Sequence, residues 1–385
     1  MCARRRVAPG DNRQAMDTAQ RFKIAGLVAA ATVGDGIFAL PFIFAQAGWL
    51  LCLFYLVALA GLVILAHSVY LATLEKVGEK ERLLGLARIY LGDGGFWVGF
   101  FAIVAGLLLT LLAYLLLGTQ FIHLALPFVR ERYAFMAFWA FISIPLFLDN
   151  RHVTDLEIFG IAATALIVVL IFISAIPRVA FAAAPVINMN NLFLPFGVIL
   201  FALAGWTAIE PVYEARKKEN EFGARAWTSL AMGTGIAALL FAMFAAGILG
   251  TSSTITPDTV SGLVAWPFWK KELFAIMGLI AIGTVYIPIS REIRNSLEKD
   301  LKWNTFVSRG TILFLPPLLI VLGLTNFLVV VGLVGGLFLS TQYLLIVSVG
   351  RHALALGPVK KFFLDLAALI FILAAVYEVY YFVVH

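Results

Sequence analysis

The sequence predicts an all-α membrane protein of eleven transmembrane helices, and three observations carry that prediction. Hydrophobic residues make up 62% of the 385 positions and charged residues only 13%, whereas a soluble domain keeps roughly a quarter of its residues charged. Apolar runs of ~20 residues, the length of one bilayer-crossing helix, recur from end to end. The basic residues also fall on alternate sides of those runs. A closed barrel is the other way to satisfy the backbone in lipid, but its strands read as short alternating segments. The runs here are continuous and rich in Leu, Ala and Gly.

In chain order the spans are expected at Phe22–Ala47, Leu50–Leu74, Phe96–Leu124, Tyr133–Leu148 and Leu156–Ile176. They continue at Leu192–Tyr213, Ala226–Leu249, Glu272–Ser290, Thr311–Leu324, Phe327–Val349 and Phe362–Val384. Charged, Gly or Pro clusters separate them. Gly92-Asp93-Gly94-Gly95, ahead of span three, reads as a loop; no strand precedes it, so a nucleotide-binding reading fails. Span nine is short and holds Pro316-Pro317.

Charge tests the count. With residues 1–21 as a basic cytoplasmic tail, 23 of the 28 Lys and Arg fall on the inner side. Only Arg130, Arg132, Arg178, Lys270 and Lys271 fall outside. The positive-inside rule requires such an asymmetry, and removing one span would invert every later loop. The expected topology is therefore an N-terminus in the cytoplasm, a C-terminus outside, and one transmembrane domain at residues 22–384 of the cell membrane. No short apolar core with a cleavage site precedes span one, so a secretory signal is not expected. The net charge of +6 marks the cytoplasmic face and calls for no nucleic acid. Cys2 and Cys52 suggest neither a disulfide nor a metal framework.

Two spans are weakened at about half depth. Span one carries Val33-Gly34-Asp35-Gly36-Ile37-Phe38-Ala39-Leu40-Pro41, and span six carries Phe201-Ala202-Leu203-Ala204-Gly205-Trp206-Thr207-Ala208-Ile209-Glu210-Pro211. Gly and Pro weaken helices, and bare backbone in hydrocarbon costs several kcal/mol per group, so such breaks belong beside a cavity. Spans one and six are five apart, the spacing of a 5+5 inverted repeat whose broken helices form the substrate site. The repeats run over 22–176 and 192–349, with helix eleven at 362–384 outside them. Glycine in membrane helices also serves close packing, the role expected of Gly332, Gly335 and Gly336 in span ten.

These segments resemble the amino acid–polyamine–organocation superfamily, and most of all its aromatic (tryptophan/tyrosine) amino acid permeases and the amino acid/auxin permeases. Gly34-Asp35-Gly36-Ile37-Phe38-Ala39-Leu40-Pro41 is similar to the Gly-x-Gly-Ile/Met-x-x-Leu-Pro of their first helix. The span-six segment, through Pro211 and Glu214 to Arg216-Lys217-Lys218, resembles their Phe-x-x-x-Gly break. Thr284-Val285-Tyr286 with Asn295-Ser296-Leu297 resembles helix eight, and Leu315-Pro316-Pro317-Leu318 with Phe327 and Gly332 resembles helix nine and the start of helix ten. The resemblance runs from about Phe22 to Val384. It implies a LeuT-like fold of eleven helices and a small-molecule site between the broken helices.

At such a site, free N–H groups at Gly36, Ile37 and Phe38 would attract a carboxylate. Open carbonyls around Leu203, Ala204 and Gly205 suit an ammonium group. Phe201 and Trp206 flank the break as gates or as ordinary packing, and Tyr114 is a further wall candidate. Asp35 has two readings: a cap for the N–H of Ile37 or Phe38, or a carboxyl that couples proton entry to substrate entry, since an acid at this depth is a functional candidate. The superfamily's sodium site would place Thr284 opposite carbonyls near Ala30 and Val33. Val285 stands where a second hydroxyl often lies and Ala30 where related members carry Asn, so protons are favoured over sodium. Glu210 is expected at an inner gate with Arg291 or Arg294. His67 and His123 read as satisfied interior residues, and Glu378 as interfacial.

The function implied is secondary active import of a neutral amino acid, aromatic ones included, by alternating access, with no cofactor beyond the coupling ion and lipid as the surrounding partner. The alternatives are a sodium-coupled amino acid or amine transporter, with an amine held by Asp35, and an amino acid sensor. No metal site, no Ser/His/Asp set and no Gly-x-Ser-x-Gly elbow suggests an enzyme. Oligomeric state is not legible.

Overall fold

A computed structural model describes residues 9–78, 81–147, 153–175, 185–218 and 226–384. The basic residues Arg4, Arg5, Arg6, Lys80, Arg151, Arg178 and Arg225 lie outside the described residues. Among the described residues the regular structure is all helical. Helix α1 (Pro9–Thr32) stops at Val33-Gly34; a 3₁₀ turn, Asp35–Ala39, then leads into α2 (Leu40–Ala47). Residues 21–32 and 35–47 meet at 56°. Pro41 sits in the first turn of α2, where its missing N–H would have had no intrahelical acceptor.

Helices α3 (Trp49–Val77) and α4 (Leu83–Ala125) come next. The Gly92–Gly95 segment, expected as a loop, is helical apart from one kink at Gly92, whose φ of +75° an L side chain would resist. Arg88 covers the Phe96 ring at 3.7 Å, bracing the two sides of that kink. Beyond them lie α5 (Glu131–Ser143), running into a 3₁₀ turn at Ile144–Phe147, and α6 (Val153–Ala175).

The second half repeats the broken-helix pattern. Helix α7 (Leu194–Ala202), a 3₁₀ turn at Trp206–Ala208 and α8 (Ile209–Lys218) form one interrupted segment. Then come α9 (Ala226–Thr251), α10 (Phe268–Asn295), α11 (Thr305–Val321), α12 (Phe327–Leu333), α13 (Ser340–Ala353) and α14 (Pro358–Val384). A π turn, Val334–Leu339, joins α12 to α13. Each expected segment contains helix within the described residues; Leu148 and Ile176, which end two of them, lie outside those residues. By length and composition, seven described helices can cross a membrane, or eight if the bent pair in the first segment counts as one.

Glycine sets the closest packing around the second break. A Cβ at Gly335 would lie 1.7 Å from the Gly197 carbonyl oxygen, and one at Gly197 would lie 3.0 Å from the Gly336 nitrogen. The backbone of α7 therefore lies directly on the π turn, as the small-residue reading of span ten requires. Phe38, on the first 3₁₀ turn, meets Phe121, Phe244 and Phe274 edge-on, with ring centroids 5.0, 5.6 and 5.9 Å away. The Phe38 carbonyl also accepts the Thr259 hydroxyl at 2.5 Å. This aromatic cluster closes one end of the bundle beside the breaks.

Candidate functional site

The two breaks lie against each other because Gly36 has no side chain. A Cβ there would stand 2.5 Å from Ala202 Cα and 2.9 Å from Ala202 N. On one side of this contact is a cavity of about 320 Å³, at the lower end of the ~300–1,000 Å³ range of small-molecule sites. Gly34, Asp35 and Gly36 line it from the first break, and Phe201, Ala204, Gly205 and Trp206 line it from the second. Leu107, Thr110 and Tyr114 of α4, Val285 and Pro288 of α10 and Leu339 of the π turn are among its other walls. It extends toward Arg82, Glu210, Glu214, Arg291, Glu292 and Asn295, away from the aromatic cluster at Phe38.

Eleven of the expected site residues therefore share one cavity: Ala30, Gly34, Asp35, Gly36, Tyr114, Phe201, Ala204, Gly205, Trp206, Glu210 and Arg291. Val33, Ile37, Phe38, Leu203 and Thr284 do not line it. Ile37 and Phe38 face a small void at the closed end instead, because a 3₁₀ turn rotates successive side chains by about a third of a circle. The Thr284 hydroxyl donates to its own helix at the Ala281 carbonyl, 2.8 Å away.

Gly36 and Ile37 lie in the first turn of the 3₁₀ helix, and the Asp35 carboxyl accepts from the N–H groups of Asp35 and Gly36. Among the described residues, the carbonyls of Leu203 and Ala204 accept no backbone bond, whereas that of Gly205 accepts from Ala208 N–H at 3.1 Å. Gly34 caps the 3₁₀ turn from the preceding position, with no side-chain capping bond. Asp35 is only 3% exposed, and its Oδ2 has no hydrogen-bond partner. It lies on the wall of the cavity without bonding to Ile37 or Phe38.

At the Arg82 end of the cavity the ion pairs differ from the sequence reading. Glu210 pairs with Arg82, not with Arg291 or Arg294: Arg82 Nε donates to Glu210 Oε2 at 2.9 Å, and Arg82 Nη2 donates to Glu292. The Tyr70 hydroxyl donates to Glu210 Oε1 at 2.8 Å. Burial disfavours the Arg82 charge, but Glu292 and Glu210 outweigh it and hold the guanidinium well above its ordinary range. One guanidinium thus joins α8 to α10 across the cavity mouth, a fork geometry only Arg supplies. Arg82, Tyr70 and Glu292 were not legible as site residues. Arg82 counts as one more cytoplasmic base in the charge tally, and its partners are 128 and 210 positions away.

Arg82→Ala is expected to lower the melting temperature by several degrees, because it leaves two carboxylates facing each other. The side chains are 15–25% exposed, so solvent screening holds the cost to about 1–3 kcal/mol, below that of a fully buried pair. Adding Glu292→Gln should recover part of the loss in a thermal melt of detergent-solubilised protein. No recovery would mean that the carboxylates do not repel.

His67 is fully buried, its Nε2 lies 3.2 Å from the Tyr343 hydroxyl, and its Nδ1 has no partner. His123 approaches the Val129 carbonyl at 3.2 Å. Neither lines the cavity.

The model of the transmembrane amino acid transporter family matches residues 18–380. The chain belongs to that family. It is a transporter and not an enzyme, and an integral membrane protein. No curated protein matches it at a significant level. Among solved structures, a mutant of the Eremococcus coleocola manganese transporter aligns with TM-score 0.66 and 12% identity, over 91% of this chain and 84% of that one. MhsT in complex with L-phenylalanine aligns with TM-score 0.63 and 13% identity, over 91% and 98%. Mhp1, a nucleobase-cation-symport-1 family transporter with bromovinylhydantoin bound, aligns with TM-score 0.55 and 13% identity, over 93% and 91%. At these identities the likeness is one of fold, shared by transporters of different cargo.

Proposed function

We propose that this family member is a secondary active transporter that imports a neutral amino acid, aromatic ones included, by proton-coupled alternating access. One observation carries the reading. Two broken helices meet at Gly36 and Ala202 beside a cavity lined by the buried Asp35, whose Oδ2 has no hydrogen-bond partner. Gly36 on the first break and Ala204 on the second both line the cavity, where the two ends of a zwitterion would sit. An unpaired ionised carboxyl is costly in such an interior, and a proton is the simplest counter-charge. Family membership supports the amino acid as cargo. The manganese of the fold relative does not transfer readily, since among the described residues no three His, Cys, Asp or Glu cluster as metal ligands.

The same reading includes eleven spans in the cell membrane, inverted repeats at 22–176 and 192–349, an N-terminus in the cytoplasm and a C-terminus outside. On that orientation the cavity leads toward the cytoplasm through the Arg82 end, while the Phe38 cluster closes the outer end: an inward-facing state. A second reading, an amine substrate held by Asp35, draws on the cavity's four acids against two bases, Arg82 and Arg291.

Purified protein in liposomes should accumulate a labelled neutral amino acid when a proton gradient is imposed in sodium-free buffer. Uptake that requires sodium would overturn proton coupling and return Thr284, Ala30 and Val33 to the argument. Accumulation of amines but not zwitterions would favour the second reading, and binding without flux would favour a sensor.

A further inference from the structure

Trp206 flanks the second break, and its sequence position suggests a gate. Its surroundings do not leave it free to swing. The indole is 2% exposed and its Nε1–H donates to Gln342 Oε1 at 2.6 Å. Gln342, on α13, is fully buried, and its Nε2 donates to the Ala102 carbonyl of α4 at 2.9 Å. An indole N–H can only donate and a carbonyl can only accept, so a side chain joining them must offer both an acceptor and a donor. A carboxamide does, which also settles which end of Gln342 faces which partner.

The slot for this amide is itself built. A Cβ at Gly106 would stand 2.9 Å from Gln342 Nε2 and 2.8 Å from Phe338 Cβ, so the glycine leaves room for the amide. The π turn at Val334–Leu339 precedes α13 and shifts its register by a residue. Tyr343, the next residue, meets His67 Nε2 at 3.2 Å.

We infer that Gln342 is a positioning residue that locks Trp206 as a fixed wall of the cavity, so that helix α13, which contributes no lining side chain here, sets how tightly the site holds its substrate. The inference rests on the cavity being the substrate site. Losing one neutral hydrogen bond of about 1.4 kcal/mol corresponds to about tenfold in affinity. In full-length protein in liposomes, Q342M and W206F are each expected to raise KM about tenfold, with Vmax within about twofold, the pattern of lost uniform binding. The double variant should match the single ones, because both remove the same bond. Fluorine NMR of protein labelled with 5-fluorotryptophan supplies the second arm. The Trp206 line, identified by its loss in W206F, should shift and broaden in Q342M. Additive effects on KM, or a fall in Vmax at unchanged KM, would overturn the inference. If the wild type takes up no amino acid, the site reading fails on its own. The NMR line then decides the lock, and an unchanged Trp206 line in Q342M overturns it.

Discussion

Asp35→Asn is expected to reduce proton-driven accumulation of amino acid to the level of empty liposomes while leaving downhill exchange of substrate intact. The carboxyl is 3% exposed and its Oδ2 has no partner, yet it lines the cavity with Gly34 and Gly36. Asparagine keeps the size and shape of the side chain, so packing against the break should survive. It cannot take up and release a proton. The variant also separates the two roles open to Asp35, because Asn caps a helix about as well as Asp does. If the residue only caps, Asp35→Asn will accumulate substrate as the wild type does, and the coupling role is wrong. Asp35→Ala should lose accumulation in either case, so the contrast between the two variants carries the result. Uptake and counterflow on the same proteoliposomes would measure it.

Gly36→Ala should cause the second large loss. Its new methyl group would stand 2.5 Å from Ala202 Cα and 3.0 Å from Ala202 Cβ, and the nearest obstacles are backbone rather than the far end of a flexible side chain. Overpacking of this kind costs about 1–3 kcal/mol, and more where backbone must shift. The two breaks would be forced apart, widening the contact between Gly36 and Ala202 that borders the cavity. We expect a fall in melting temperature of several degrees and at least a tenfold loss of uptake, since small misplacements at such a site are costly. Gly34→Ala is the control. Its methyl group would meet nothing closer than 3.8 Å, the Tyr114 hydroxyl and Val285. Stability should be unchanged, with KM raised because the methyl enters the cavity. A Gly36→Ala protein that melts and transports like the wild type would mean that the breaks do not touch.

The contrast between these two glycines measures how far the chain can be read. Both read as helix weakeners, and the break they form is present between Thr32 and Asp35. That Gly36 touches α7 while Gly34 faces the cavity is not visible in the sequence, because a Gly-x-Gly pattern says nothing of what approaches each residue. Ile37 and Phe38 group with the site by their nearness in sequence. The 3₁₀ turn directs them to the closed end, where Phe38 joins three other rings. Gly92–Gly95 misleads for a related reason: four polar or flexible residues suggest a loop, but only Gly92 leaves the helical region. Neighbours in α4 then hold the rest in register.

By itself the sequence determined the membrane class, the helical segments and the two interruptions. Hydropathy and the backbone preferences of Gly and Pro are properties of short stretches of chain, and lipid tolerates few ways of satisfying a peptide group. Only the tertiary structure decided that Arg82 pairs with Glu210, that Gln342 holds Trp206 and that Gly36 lies on Ala202. Those contacts join residues more than a hundred positions apart, and each depends on how packed helices bring two side chains, or two stretches of backbone, within a few ångströms.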